Sequence, residues 1–293
     1  YTLFLVKNQP FVVTEPKILK FLAGRAITGI EVVNNDEYLR TVKLQNAEGQ
    51  QFCGWVRVGH RPAENTLSVT VSESLLPVLP EVLARIKNLF DLYCEPKAVY
   101  ETLQVMNTLQ PGLCVLGTRL PGCFNVFEMS VRAVLGQQIT VKAASTLAAR
   151  LVAVYGTQVQ TGIEGLTHSF PAPAAILALG ENISEHLGKL GIISARANTI
   201  YQLARVLADE KNDFGFCGNP EEEMQKLQAI RGIGSWTAQY IAMRAMGWPD
   251  AFLPTDAGIK KALPDHTPKE LQVLSEAWRP WRSYATVNLW NTL

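Results

Sequence analysis

The chain has 293 residues, enough for about two domains, and its 47% hydrophobic content is that of a folded protein rather than a disordered one. A formal net charge of +1 excludes nucleic-acid binding by a global positive field, so any DNA contact must come from local groups. The sequence holds no run of about 18 apolar residues, which excludes a helix that spans a membrane.

The opening "YTLFLVKNQPF" lacks the charged start, long apolar stretch and small-residue cleavage site of a secretory signal. Position 1 is not Met, which raises the expectation of sequence upstream. "KILKFLAGRAI" (17–27) reads as a helix. "GIEVVN", "EYLRTVKLQ", "QFCGWVRVG" and "NTLSVTVSE" read as strands separated by polar or turn residues. "LSVTV" (67–71) alternates as a half-buried strand does. "EVLARIKNLFDLY" (81–93) places Val82, Ile86, Leu89, Phe90 and Tyr93 on one helical face. The order β-α-β-β-β-β-α with short connections implies an antiparallel sheet carrying helices, over residues 1–96.

Beyond Pro96 the strand signals end, and residues 97–293 are expected to be all-helical. "FNVFEMSVRAVLGQQIT" is one helical stretch, and "VKAASTLAARLVAVYG" is another that stops at Gly156 as a C-cap. The segment 160–173, with Gly, Pro and Thr, is expected to be a loop. "ISEHLGKLGI", "ARANTIYQLARVLADE" and "PEEEMQKLQAI" follow as helices, the last with Pro220 in its first turn and three Glu at its start. The five cysteines, Cys53, Cys94, Cys114, Cys123 and Cys217, form no CxxC pair and are odd in number. They read as buried thiols rather than a disulfide framework or zinc site.

"IRGIGSWTAQY" (230–240) has two glycines between two helical patterns. A dinucleotide fingerprint needs a strand before the glycines and a third glycine after, and neither is present. Helix, two-glycine turn, helix is the alternative, locked by Leu227, Ile230, Ile233, Ala238 and Ile241. Gly232 and Gly234 would supply positive φ and let another backbone approach. The second helix would then begin with free amides from Gly232 to Ser235, a natural seat for a phosphate. Such a contact positions DNA without reading its sequence. An ordinary αα-corner with glycine caps would use the same residues.

"MGWPDAFLPTDAGIKKAL" (246–263) is a Gly/Pro loop ending at Asp256, which is a favoured N-cap for the helix that follows. Capping and a further role can coexist, since the positive end of a helix suits an anion.

A hairpin, a Gly/Pro loop and an Asp in this order resemble the helix-hairpin-helix/Gly-Pro-Asp DNA glycosylase superfamily. "RLPGCFNVFEMSVRAVLGQQITVKAASTLAARL" (119–151), "RGIGSWTAQYIAMR" (231–244), "AFLPTDAGIK" (251–260) and "WRPWRSYATVNLW" (278–290) are similar to its bacterial DNA-3-methyladenine glycosylase II family over essentially the whole chain. The resemblance implies an α+β fold: an N-terminal antiparallel sheet with helices, of the TATA-binding-protein-like kind, then an all-α core. That core would have two lobes, about 124–248 with the hairpin at 227–241, and about 97–123 plus 249–293, with the active site between them.

It further implies a base excision repair enzyme that flips alkylated purines from double-stranded DNA and hydrolyses the N-glycosidic bond. Asp256 would stabilise the oxocarbenium-like state or orient water. Trp236, Tyr240 and Trp290 would line the base pocket, with Phe21 closing its other side. A cationic base gains about 2 kcal/mol or more on desolvated aromatic faces. Strand-cleaving members carry Lys where this chain has Trp236, so base removal alone is expected. No Cys follows Cys217, so no four-cysteine iron–sulfur cluster is expected.

The family's wedge position falls on Gln138, where the best-known member carries an apolar residue. Relative to that member, Ala257 replaces an aromatic and Thr255 an acid, which implies a more open and less negative pocket and a different substrate range. By the same analogy the carbonyls of Gln228, Ile230 and Ile233 would hold a monovalent cation such as sodium. No other cofactor and no nucleotide is implied, and the expected protein is a cytoplasmic, nucleoid-associated monomer. Excision of oxidised or deaminated purines, a non-catalytic DNA clamp, and a helical scaffold are the competing readings.

Overall fold

The computed structural model describes residues 1–6, 15–61, 66–208 and 219–293. The N-terminal part is a five-stranded antiparallel sheet with strand order β1-β5-β4-β3-β2. Its strands are β1 (Thr2–Val6), β2 (Glu31–Asn34), β3 (Glu37–Gln45), β4 (Gln51–Arg61) and β5 (Thr66–Val71), and helix α1 (Glu15–Ala23) connects β1 to β2. The alternation expected of β5 is observed, with Leu67, Val69 and Val71 buried. They join Val56 and Val58 of β4, and Ile18, Phe21 and Leu22 of α1, in one core.

Helix α2 (Leu79–Leu89) adds Val82, Ile86 and Leu89 to that core. The predicted face does not extend to Tyr93, which is 72% exposed. The helix ends at Leu89 because Asp91 takes the left-handed conformation (φ 52°), held there as its carboxylate accepts from the Leu120 amide at 2.9 Å. Phe90 remains buried at the cap.

The helical part comprises α3 (Pro96–Leu103), α4 (Val126–Leu135) and α5 (Val141–Tyr155), then α6 (Pro173–Leu177), α7 (Ile183–Gly188) and α8 (Ser194–Leu207). It continues with α9 (Pro220–Gln228), α10 (Ser235–Arg244), α11 (Ala257–Ala262), α12 (Pro268–Leu274) and α13 (Arg282–Trp290). It is not wholly helical. β6 (Thr157–Gln158) pairs with β7 (His168–Ser169), inside the segment expected to be a loop. β7 is also a seam between the parts: the Thr167 and His168 amides donate to the Gly29 carbonyl, and the Thr41 hydroxyl donates to the His168 carbonyl at 2.7 Å. Gly156 does cap α5, but in an extended conformation (φ −68°). Lack of space selects glycine there, since a Cβ would lie 2.5 Å from the Val152 carbonyl and 2.6 Å from that of Ser169.

Among the described residues Cys94, Cys114 and Cys123 are buried, whereas Cys53 is half-buried; Cys217 lies outside them. Burial pushes the Cys123 thiol up to about 12.

A charged cluster joins sheet to helices. Arg40 of β3 pairs with Glu128 of α4 at 2.6 Å, and Arg132 of α4 pairs with both Glu128 and Glu31. Tyr38 donates to Glu31 at 2.6 Å and the Ile27 amide does so at 3.0 Å. Burial alone would raise the Glu31 carboxyl, but Arg132, Arg40 and the Tyr38 hydroxyl outweigh it and hold it below its ordinary value.

Candidate active site

Three hydrophobic cores meet at one cavity of about 1350 Å³. Tyr240 packs against the core around α4, α8 and α10 and against the core around α13, while Trp290 packs against the latter and against the sheet's core. The site is thus placed by all parts of the chain.

The hairpin forms one wall. Leu227, Ile230, Ile233, Ala238 and Ile241 are all buried, as a lock between α9 and α10 requires. The two glycines differ in their reasons. Gly232 has φ 96°, and a Cβ on it would lie 2.0 Å from the Thr199 hydroxyl oxygen. Gly234 has φ −87°, so the expectation of positive φ fails there; it is the N-cap of α10. A Cβ on Gly234 would meet nothing within 4 Å. The space beside it is open, and no side chain caps the first amides of α10. Gly234 and Ser235 are exposed.

Polar ties hold the hairpin to its neighbours. Thr199 donates to the Arg231 carbonyl at 3.0 Å. The Gln137 amide donates to the Gly232 carbonyl and to the Thr237 hydroxyl, each at 2.9 Å, while Arg196 donates to the Gln137 carbonyl. This clamps the α4–α5 turn, whose tip, Gln138, has φ 55° and lines the cavity. The Ile230 carbonyl accepts from the Ile233 amide at 3.0 Å. That leaves it one lone pair, and the carbonyls of Gln228 at the end of α9 and of Ile230 and Ile233 in the turn are oxygen donors of the kind a hard cation takes.

Asp256 is 9% exposed and N-caps α11. Its Oδ1 accepts from the Gly258 amide at 2.8 Å, the Ile259 amide at 3.1 Å and Trp290 Nε1 at 2.8 Å. Its Oδ2 accepts from Trp236 Nε1 at 3.2 Å. Two residues expected to be stacking walls therefore also orient the carboxylate. Gly258 permits this, because a Cβ there would lie 2.7 Å from Trp290 Cδ1 and 3.0 Å from Asp256 Oδ1.

All four predicted aromatics come together. Trp236 and Tyr240 stack with centroids 5.2 Å apart, Tyr240 lies 6.3 Å from Trp290, and Trp290 stacks on Phe21 at 6.1 Å. A base inserted between two rings needs about 7 Å, two van der Waals spacings, so the Trp236–Tyr240 pair acts as one slab and a base must use an open face. Thr255 and Ala257 are exposed at the rim.

Sequence reasoning missed two arginines here. Arg244 donates to the Pro121 carbonyl, to the Gly122 carbonyl at 3.0 Å and to the Tyr240 hydroxyl at 2.9 Å. Arg25 lies over the Phe21 ring, 3.7 Å from its centroid. Burial alone would raise the Tyr240 phenol, but Arg244, Arg25 and Arg132 hold it below its ordinary value. The cavity lining carries Arg25, Arg40, Arg132, Arg196 and Arg244 against Glu31, Glu128 and Asp256, a local excess of two positive charges in a near-neutral chain. A single Arg in a helical pattern gives no sequence signal for such a position; only the meeting of α1 with α10 and α13 creates it.

Residues 2–125 match the family described as AlkA N-terminal domain, and residues 131–282 match the HhH-GPD superfamily base excision DNA repair protein family. The chain is 36% identical to DNA-3-methyladenine glycosylase 2 of Escherichia coli over 275 residues, covering 94% of this chain and 92% of that protein. It is also 36% identical to a probable bifunctional transcriptional activator/DNA repair enzyme AlkA of Mycobacterium tuberculosis, over 93% of this chain and 53% of that longer protein. In fold it is similar to a 3-methyladenine DNA-glycosylase from Archaeoglobus fulgidus, with a TM-score of 0.77 at 20% identity over 98% of this chain and 97% of that one.

Proposed function

The chain belongs to the HhH-GPD superfamily of base excision DNA repair proteins, with an AlkA-type N-terminal domain, and we propose that it is a monofunctional alkylpurine DNA glycosylase. The observation that carries this reading is the Asp256 carboxylate, held by two backbone amides and two indole N–H groups on the floor of an aromatic cavity beside the hairpin. A DNA clamp has no use for a carboxylate oriented in this way.

In this reading the backbone of a lesion-bearing strand lies on the open amides of Gly234 and Ser235, with Gly232 and Ile233 shaping the turn. The target nucleotide turns out of the duplex into the cavity, because its glycosidic bond is unreachable in the stack. Gln138, at the tip of its clamped turn, enters the vacated gap, where its amide can hydrogen-bond the unpaired partner base. The base lies against Trp236, Tyr240, Trp290 and Phe21.

The C1′–N bond breaks with its electron pair leaving on the base, and positive charge develops on the sugar. Asp256 faces that charge, and water attacks C1′ to leave an abasic site. N3- or N7-alkylated purines leave readily, which accounts for a single carboxylate where O-glycosidases use two. Trp236 fills the position at which an amine would form a Schiff base, so the strand stays intact.

A monovalent cation at the Gln228, Ile230 and Ile233 carbonyls would add a positive charge near the bound phosphate. The protein would act as a cytoplasmic monomer on the nucleoid. Among the described residues no helix is long and apolar enough to cross a membrane. Incubation with methylated duplex DNA tests the function: 3-methyladenine and 7-methylguanine should be released with the strand uncut, and no release would refute it.

A further inference from the structure

The cavity already contains a cation. The Arg25 guanidinium lies 3.7 Å from the centroid of Phe21 and 6.0 Å from that of Trp290, over two of the faces offered to a base. Its backbone is fixed, with the Arg25 amide donating to the Leu22 carbonyl at 3.0 Å and the Arg25 carbonyl accepting from Arg132 at 2.9 Å. Its side chain donates a long bond to the Phe21 carbonyl at 3.4 Å and also hydrogen-bonds the Tyr240 hydroxyl, and it forms no ion pair among the described residues. These two bonds leave N–H groups of its five free to meet a further acceptor. Arg244 lies 4.7 Å from the Phe21 centroid and is pinned by three hydrogen bonds, so it cannot withdraw. Around these rings stand two guanidiniums and one carboxylate, Asp256.

We infer that Arg25 is a specificity-determining residue, which tilts base selection away from permanently cationic bases and toward neutral bases that offer a carbonyl or ring-nitrogen acceptor to a guanidinium. The inference rests on the glycosylase reading above. A cationic base would bring a third positive charge into a partly desolvated space, where like charges repel strongly. It would also compete with Arg25 for the aromatic faces, which cancels part of the cation–π gain. A neutral 6-keto purine meets the opposite situation, because its acceptors pair with unused N–H groups. Cationic lesions are then excised for their leaving ability, while binding favours neutral ones.

The test compares two duplexes of one sequence, carrying 7-methylguanine or hypoxanthine at the same position, with wild type, Arg25→Met and Arg25→Lys. Met keeps the apolar stem over Phe21 and removes the charge; Lys keeps the charge. Arg25→Met should raise the ratio of kcat/KM for 7-methylguanine over hypoxanthine by about tenfold, chiefly through KM. Arg25→Lys should leave that ratio within about threefold of wild type, which a merely structural role for the side chain would not predict. Should Arg25→Met fail to fold, Arg25→Gln is read in the same way. A ratio unchanged or lowered on removing the charge overturns the inference while leaving the glycosylase reading intact. Release of neither base by wild type overturns the glycosylase reading itself, and this inference with it.

Discussion

Replacing each hairpin glycine with alanine separates folding from DNA contact. At Gly232 the new Cβ would lie 2.0 Å from the Thr199 hydroxyl oxygen, at φ 96°. A side chain in a left-handed conformation costs about 1–2 kcal/mol. Displacing Thr199 also breaks its 3.0 Å bond to the Arg231 carbonyl, a loss of about 1 kcal/mol. Together these come to roughly 3 kcal/mol, or a fall in Tm of about 6–12 °C for a chain of this size. At Gly234 the φ of −87° suits any residue and a Cβ meets no protein atom, so Gly234→Ala should melt at or slightly above the wild-type temperature. Its Cβ instead enters the open space in front of the α10 amides. Duplex affinity should therefore fall about tenfold, and the slope of log K against log salt should flatten by about one phosphate, near 0.9. Thermal melting and fluorescence anisotropy at several salt concentrations read both effects. Wild-type affinity and salt slope for Gly234→Ala would refute the phosphate seat, and an unchanged Tm for Gly232→Ala would refute the packing argument.

The Gly258→Ala variant should cut base release at least about tenfold while changing Tm little, because its Cβ pushes on Cδ1 and Nε1 of Trp290 and breaks the indole bond to Asp256; a wild-type rate would show that this bond does not orient the carboxylate. The Glu31 cluster predicts acid sensitivity at the seam of sheet and helices. A folded-state pKa held below the ordinary 4.5 gives stability that is full above about pH 4.5 and lost as pH falls through the depressed value. Glu31→Gln should cost about 1.5–3 kcal/mol at pH 7 by removing one of the two carboxylates paired with Arg132, Glu128 remaining, and should flatten the acid limb of a Tm-against-pH curve. An acid limb as steep as that of wild type would place the sensitivity elsewhere.

The sheet and the hairpin were legible because their residues answer to local rules. Leu67, Val69 and Val71 alternate, and Leu227 to Ile241 repeat at the spacing of two helices closing on each other. Asp256 was legible twice, as a helix cap and as the end of a Gly/Pro loop, and the structure shows it capping α11. Tyr93 was misplaced because periodicity does not see where a helix stops; the stop depends on Asp91 finding the Leu120 amide, 29 residues away. The β6–β7 pair escaped notice because two-residue strands carry no pattern. Arg25, Arg244 and Gly258 matter only through partners on other elements, so nothing adjacent in sequence marks them. Gly234 shows the converse: neither its φ nor packing within the chain requires glycine, and it serves as the N-cap of α10 beside open space.

The central claim is that the Asp256 carboxylate drives base release. In Asp256→Asn the side-chain oxygen can still accept from the Gly258 and Ile259 amides, and Asn caps helices as well as Asp does, so the fold should hold. The charge is lost. Single-turnover release of 3-methyladenine should fall by about a hundredfold or more, with duplex affinity retained. Release at the wild-type rate by a folded Asp256→Asn protein would contradict the account.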